Sequence, residues 1–131
     1  MKKKIILVGS NGFFGKNIIS FFKKKYIIKK ISRKKSIKKI NFKNYQIVIN
    51  AAADVYNENK MFKNNTILVY DILKKIIKEN KDIKLIHFGT SGEYGAVNKK
   101  SKESDLIKPR TIYESTKAAA SMLIQGYSKN F

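Results

Sequence analysis

Apolar and polar positions fall into blocks that alternate in period along the chain. Lys3 to Val8 carries a continuous apolar run, the pattern of a strand covered on both faces in a parallel sheet. Phe13 to Lys25 places Phe14, Ile18, Ile19 and Phe22 at helical spacing. Tyr26 to Ser32 reads as a second strand and Gln46 to Asn50 as a third, which runs into Ala51-Ala52-Ala53. Arg33 to Asn44, between them, is polar and short, with room for a single helical turn. Asn65 to Glu79 puts Leu68, Val69, Ile72, Leu73, Ile76 and Ile77 on one stripe of a helix. Lys84 to Phe88 is a further strand, and Tyr113 to Tyr127 a helix with an alanine run near its start. Gly89 to Ile112, which holds the only proline, Pro109, reads mostly as loop. Strands alternating with helices predict an α/β fold, a doubly wound parallel sheet with helices on both faces. No repeat or linker divides the chain, and 131 residues suit one domain, 1–131.

Composition narrows the picture in three ways. The absence of cysteine removes disulfides and thiolate metal sites and fits a reducing cytoplasm. No apolar run nears the ~20 residues of a membrane span, so no membrane partner is expected. The net charge of +20 would suit an anionic partner. However, lysine, asparagine and isoleucine are over-used together while arginine is nearly absent. That bias fits composition better than a selected nucleic-acid surface, where arginine's planar fork is favoured. Specific nucleic-acid binding is therefore not expected.

The candidate chemistry sits at three places. Gly9-Ser-Asn-Gly12-Phe-Phe-Gly15 follows the first strand and opens the first helix, the context in which a glycine loop lets a pyrophosphate approach a helix N-terminus. Thr90-Ser91 closes the Lys84 to Phe88 strand region. Tyr113-Glu-Ser-Thr-Lys117 puts a phenol and an ammonium on one helix face. An ammonium beside a phenol favours the phenolate, and a phenol so tuned exchanges a proton with a hydroxyl or carbonyl. The lone His87 reads as a sheet-buried or hydrogen-bonded histidine; no set of metal ligands accompanies it.

In this order the motifs resemble the extended short-chain dehydrogenase/reductase superfamily, the NAD-dependent epimerase/dehydratase family that modifies nucleotide sugars. Gly9 to Gly15 is similar to its Gly-x-x-Gly-Phe-Ile-Gly loop. Val48 to Ala53 resembles the strand that ends beside the cofactor, and Asn65 the Asn that begins the next long helix. Thr90-Ser-Gly-Glu-Tyr-Gly95 resembles the active-site strand end. Glu103, Pro109 and Tyr113-x-x-x-Lys117-Ala-Ala match the approach to the catalytic helix. The resemblance implies a Rossmann fold and a nucleotide-sugar substrate. It implies Tyr113 as acid/base, Lys117 on the nicotinamide ribose, and Thr90 bonded to the substrate oxygen, with Ser91 its rival. It implies cofactor contacts from Gly9, Asn11, Gly12, Phe13, Phe14 and Gly15, from Ala51, Ala52 and Ala53, and from Asn65. It also implies a homodimer through the helices near Asn65 and Tyr113.

Two departures shape the expectation. Dehydratases of the family carry an Asp-Glu pair directly after the catalytic Thr, where this chain has Ser91 and Gly92. That points to a 4-keto-sugar reductase or an epimerase, with Glu93 a loop residue. The family also continues into further strands and a substrate lobe, so the chain is expected to be truncated before them, as a natural truncation, a split subunit with a complementing C-terminal chain, or a fragment. A non-catalytic dinucleotide-binding remnant is the alternative. For the cofactor, no acidic residue precedes Asp54, so the carboxylate that would take the adenosine ribose hydroxyls is missing. Ser32 and Arg33 are placed to meet a 2′-phosphate, which predicts NADP(H) over NAD(H).

Overall fold

The structure, a computed structural model, describes residues 2–32, 35–96, 98 and 100–130. Its sheet has four strands, β1 (Lys4–Val8), β2 (Ile27–Ile31), β3 (Ile47–Asn50) and β4 (Lys84–His87), in the order β2-β1-β3-β4. All three pairings are parallel, as the alternation of strands and helices predicts. The register matters for function. Val8 lies beside both Ile31 and Asn50, and Asn50 beside His87. The segments that follow, at Gly9, Ser32, Ala51 and Phe88, therefore all leave from one edge of the sheet. This is the carboxyl edge, where open α/β sheets bind ligands.

Burial explains the strand patterns. Ile5, Ile6, Leu7 and Val8 are all at most 4% exposed, so β1 is covered on both faces. On one face Ile5, Leu7 and Ile49 pack against Ile18 and Ile19 of α1 (Phe13–Phe22), with Tyr26, Ile28 and Phe88 around them. β2 is one of the two edge strands, and only Ile31 in it is buried; its Lys29 and Lys30 are the kind of charge that discourages pairing with another chain. The helix stops at Phe22, because Lys23 to Lys25 form a turn in which the Lys25 and Tyr26 N–H groups both donate to the Phe22 carbonyl.

The polar link between β2 and β3 contains one 3₁₀ turn, Ile37–Lys39, and seats Ile37 and Phe42 in the core. Phe42 N–H donates to Glu79 Oε2 at 2.7 Å, and Lys75 Nζ donates to Glu79 Oε1 at 2.6 Å. Burial pushes the Glu79 carboxyl up, but the Lys75 and Phe42 hydrogen bonds outweigh it and hold it below its usual range.

The helical run after β3 begins at Glu58, not at Asn65. It consists of α2 (Glu58–Met61), a π-helical stretch Phe62–Ile67, and α3 (Leu68–Glu79). Val69, Ile72, Leu73 and Ile76 of the expected stripe are buried. Asp54 to Asn64 carries no apolar period, which is why the early start is invisible in the pattern. After β4 come a 3₁₀ turn, Ser91–Tyr94, and α4 (Ile112–Asn130). Two compact units result. One combines the chain up to Ala53 with Asp71–Phe88 and holds the sheet; the other combines Asp54–Tyr70 with Gly89–Asn130.

Candidate active site

In the sheet unit the glycine loop is fastened to the strand ends. The Gly9 and Ser10 N–H groups both donate to the Ile31 carbonyl, at 2.9 and 3.2 Å. Gly9 has φ +83, and a Cβ there would lie 2.6 Å from Ala52 N and 2.8 Å from the Ala51 carbonyl carbon. The loop is thus pressed onto the Ala51-Ala52 backbone, bringing together two of the expected cofactor segments. A Cβ on Gly15 would collide with the Gly9 carbonyl oxygen and approach Ser10 Cα to 2.7 Å, so this glycine lets α1 sit against the loop. Gly12 differs: its φ is −75, and a Cβ would meet only the Gly9 oxygen, at 3.4 Å.

Gly12 caps α1 without any side-chain cap, and no acidic residue lies in the first turn. The first N–H groups and the positive end of the helix dipole are left for an anion. Asn11, Phe13 and Phe14 are exposed around it, with the Phe14 ring 4.9 Å from that of Phe88. Ser32 follows directly on the carbonyl that anchors the loop. Arg33, its expected partner toward a 2′-phosphate, lies outside the described residues. His87 is hydrogen-bonded, its Nδ1 3.1 Å from Asn50 Nδ2.

In the second unit, two reciprocal caps build the segments that carry Thr90 and Tyr113. Thr111 and Glu114 close the start of α4: Glu114 N–H donates to Thr111 Oγ1 at 3.1 Å, and Thr111 N–H to Glu114 Oε2 at 3.2 Å. Arg110 adds its N–H at 2.6 Å and its guanidinium at 3.3 Å. The Arg110 N–H is the main reason the Glu114 carboxyl lies below its usual range. This box fixes the first turn of α4, where Tyr113 sits half-buried, one turn ahead of Lys117.

The second box surrounds Thr90. Thr90 Oγ1 accepts from Gly92 N–H at 3.3 Å, and Glu93 Oε1 accepts from Thr90 N–H at 3.1 Å. Because Thr90 accepts there, its own O–H remains available to donate. Ser91 is exposed. The two boxes touch: a Cβ on Gly92 would come within 2.7 Å of Glu114 Cγ. Lys117 is 1% exposed. Burial pushes its ammonium below the usual lysine range, and the negative charge of Glu93 partly restores it.

Asn65 lies in the π-helical stretch and is 1% exposed. Its Oδ1 accepts from Asp54 N–H at 2.7 Å, and its amide nitrogen donates to the Asp54 carbonyl and to Thr116 Oγ1, both at 3.0 Å. Thr66 Oγ1 donates to the Thr116 carbonyl at 2.8 Å. The helix that begins at Glu58 is thereby bonded to α4 at the residue next to Lys117. An insertion that forms a π turn commonly marks a functional position.

The family model of the NAD dependent epimerase/dehydratase family matches residues 5–131. The chain belongs to the NAD dependent epimerase/dehydratase family. Solved structures of similar fold include a UDP-glucuronic acid 4-epimerase from Bacillus cereus in complex with NAD. It is 20% identical at a TM-score of 0.84, with 98% of this chain and 53% of that one covered. A dTDP-4-dehydrorhamnose reductase from Bacillus anthracis in complex with NADP is 19% identical at 0.82, with 97% and 50% covered. A dTDP-glucose 4,6-dehydratase from the same species is 21% identical at 0.78, with 98% and 51% covered. The chain spans about half the length of these structures. No curated protein matches it significantly.

Within this epimerase/dehydratase domain, the sequence reading missed two carboxylates. Glu93 was expected in a loop; it is 5% exposed and caps the Thr90 turn. Glu114 went unread. Both lie at the fourth position of Thr-x-x-Glu, a visible capping signal. A four-residue 3₁₀ turn has no apolar period to reveal it, and the Tyr-x-x-x-Lys spacing drew attention past the Glu inside it.

Proposed function

We propose that this domain carries the cofactor and catalytic groups of a nicotinamide-dependent enzyme acting on a carbon of a nucleotide sugar, of the 4-keto-sugar reductase or epimerase type. A bound nicotinamide would supply or accept the hydride. The chain's own groups do the rest. The N–H groups at the start of α1 hold the pyrophosphate, and Gly12 leaves room for it where its Cβ would meet only one protein atom. Tyr113 passes a proton to or from the sugar oxygen, to which Thr90 donates a hydrogen bond, with Ser91 as the alternative donor. Lys117 holds the nicotinamide ribose. Asn65 and Thr116 hold α4 to the helix that begins at Glu58. Ser32 and Arg33 favour NADP(H) over NAD(H).

The observation that carries this reading is Lys117, a lysine 1% exposed one turn after Tyr113. An ammonium is seldom buried so fully unless paired or functional. A dehydratase is disfavoured because Gly92 leaves no acid at that position and Glu114 fills the space beside it.

The test is binding and turnover together. NADPH and NADH are titrated by fluorescence, and UDP- and dTDP-linked 4-keto sugars are assayed for reduction and epimerisation. Tyr113→Phe is expected to lower turnover by ~10²-fold or more while changing cofactor affinity less than about threefold. Failure of the wild type to bind either nucleotide would overturn the reading. Binding without turnover would leave a dinucleotide-binding module.

A further inference from the structure

We propose that the amino edge of the sheet unit docks on the surface of an anionic lipid bilayer, with Phe21 and Ile27 seated in the headgroup layer and the neighbouring lysines on the lipid phosphates. The inference is independent of the reaction proposed above.

Charge is unevenly divided in this chain. The sheet unit is just over half of it, yet holds 20 of the 29 basic residues and only three of the nine acidic ones, Asp71, Glu79 and Asp82. A bias of composition alone would spread both kinds evenly. Two of those acids are already matched, Asp71 by Lys38 at 3.5 Å and Glu79 by Lys75 at 2.6 Å.

The fold gathers charge and apolar surface at one end of the unit. α1 leaves the carboxyl edge at the glycine loop and returns toward the start of β2, so its last turn lies at the amino edge. There Phe21 is 82% exposed, and Ile27, the first residue of β2, is 51% exposed. Ile27 lies beside Lys4, and its N–H donates to the Lys3 carbonyl at 3.1 Å. Lys23, Lys24 and Lys25 fall between Phe21 and Ile27 in the chain, and Lys2 and Lys3 lead into β1. All five are exposed, and among the described residues none of them forms an ion pair. The Phe22 and Tyr26 rings meet edge to face at 5.6 Å, which braces the turn from which Phe21 projects. Next to Ile27, a recess of 330 Å³ has Lys4, Lys29 and Lys39 in its lining, room for a headgroup between ammoniums.

Two features select a bilayer from among anionic partners. An exposed aromatic tip among ammoniums suits a surface that is anionic outside and apolar beneath. A nucleic-acid duplex offers no such apolar layer and is read best by arginine's planar fork, whereas every cation named here is a lysine. A second copy of the chain would bring like charge against like. Among the described residues no helix is long and apolar enough to cross a membrane, but docking on a bilayer needs no span.

The test is sedimentation of the chain with vesicles of phosphatidylcholine alone and of equal parts phosphatidylcholine and phosphatidylglycerol. Binding is expected only with phosphatidylglycerol and should weaken as salt rises. Replacing Lys23, Lys24 and Lys25 together by Gln should weaken it by about tenfold or more, and Phe21→Gln by about threefold or more. These positions are exposed, so the urea midpoint and NADPH affinity of the variants should stay at their wild-type values. The chain has no tryptophan, so Phe21→Trp gives a single reporter, whose emission should shift to the blue and be quenched by brominated acyl chains in the anionic vesicles. Failure to bind those vesicles would overturn the proposal, and so would binding that leaves the reporter unquenched. Tighter binding to a DNA duplex than to vesicles at equal phosphate would assign the patch to nucleic acid. A wild-type dimer that Phe21→Gln dissociates would assign it to a second copy. Either result refutes docking on a bilayer.

Discussion

Replacing Gly9 and Gly12 separately by alanine should divide the glycine loop into a part that the fold requires and a part that a ligand requires. At Gly9 the left-handed φ costs a side chain about 1–2 kcal/mol. The new Cβ would also lie 2.6–2.8 Å from three backbone atoms of Ala51 and Ala52, which cannot rotate aside as a side-chain tip does. Such overpacking costs about 1–3 kcal/mol. The sum, roughly 2–5 kcal/mol, is a large share of the ~5–15 kcal/mol that holds a domain together. At Gly12 the backbone is ordinary and the nearest atom is at 3.4 Å. Alanine is a poorer cap than glycine by up to about 1 kcal/mol but restricts the unfolded chain by about 0.4–1 kcal/mol, so the two terms nearly cancel. Urea unfolding followed by circular dichroism should show Gly9→Ala strongly destabilised and Gly12→Ala within ~1 kcal/mol of wild type. NADPH titration should then find Gly12→Ala, although folded, at least about tenfold weaker, a loss of ~1.4 kcal/mol. Equal destabilisation of the two variants would refute the structural division, and wild-type affinity in Gly12→Ala would refute the ligand's part in it.

Thr116→Val removes the oxygen that takes the Asn65 amide and should cost about 1–3 kcal/mol in urea unfolding, the price of a buried donor left unmatched; an unchanged midpoint would mean that the α4 attachment does not rest on this bond. Glu79 has a carboxyl held below its unfolded value, so its contribution is complete above the unfolded carboxylate range and is lost as pH falls through the folded value. Glu79→Gln should therefore lower stability near pH 7 and converge with wild type in strong acid, whereas a constant offset at every pH would contradict that sign. Glu114 has the same sign, so part of the acid dependence should survive in that variant. For the cofactor, wild type should bind NADPH more tightly than NADH and Arg33→Ala should narrow the gap; equal affinities in the wild type would overturn the preference.

The sheet was legible because its central strands are short apolar runs buried on both faces, as Ile5 to Val8 show, and the edge strands repeat the strand–helix alternation around them. The glycine loop was legible because its spacing has a steric origin: the contacts of Gly9 and Gly15 are backbone contacts, independent of side-chain detail. Helix ends were less clear, since Lys23 to Lys25 suit both a last helical turn and the turn beyond it. The start at Glu58 and the π-helical stretch were hidden, because their residues are polar and their reason for helicity lies in Asn65 bonding to Thr116, a partner far along the chain. Glu93 was misread for the same reason. A carboxylate between a glycine and a tyrosine looks solvated until the chain turns it back onto the Thr90 N–H.

The contact between Gly92 and Glu114 links two positions distant in sequence into a pair that must change together. Gly92 lacks a side chain because Glu114 occupies the space, and Glu114 is held there by four bonds to Arg110 and Thr111. Introducing an acid at position 92 would dislodge the cap of the helix that bears Tyr113 and Lys117, so the gain of a proton donor would come with loss of that helix's register. Mutational routes toward water-eliminating chemistry in this domain must therefore pass first through position 114, and a library that varies 92 alone should return only small residues.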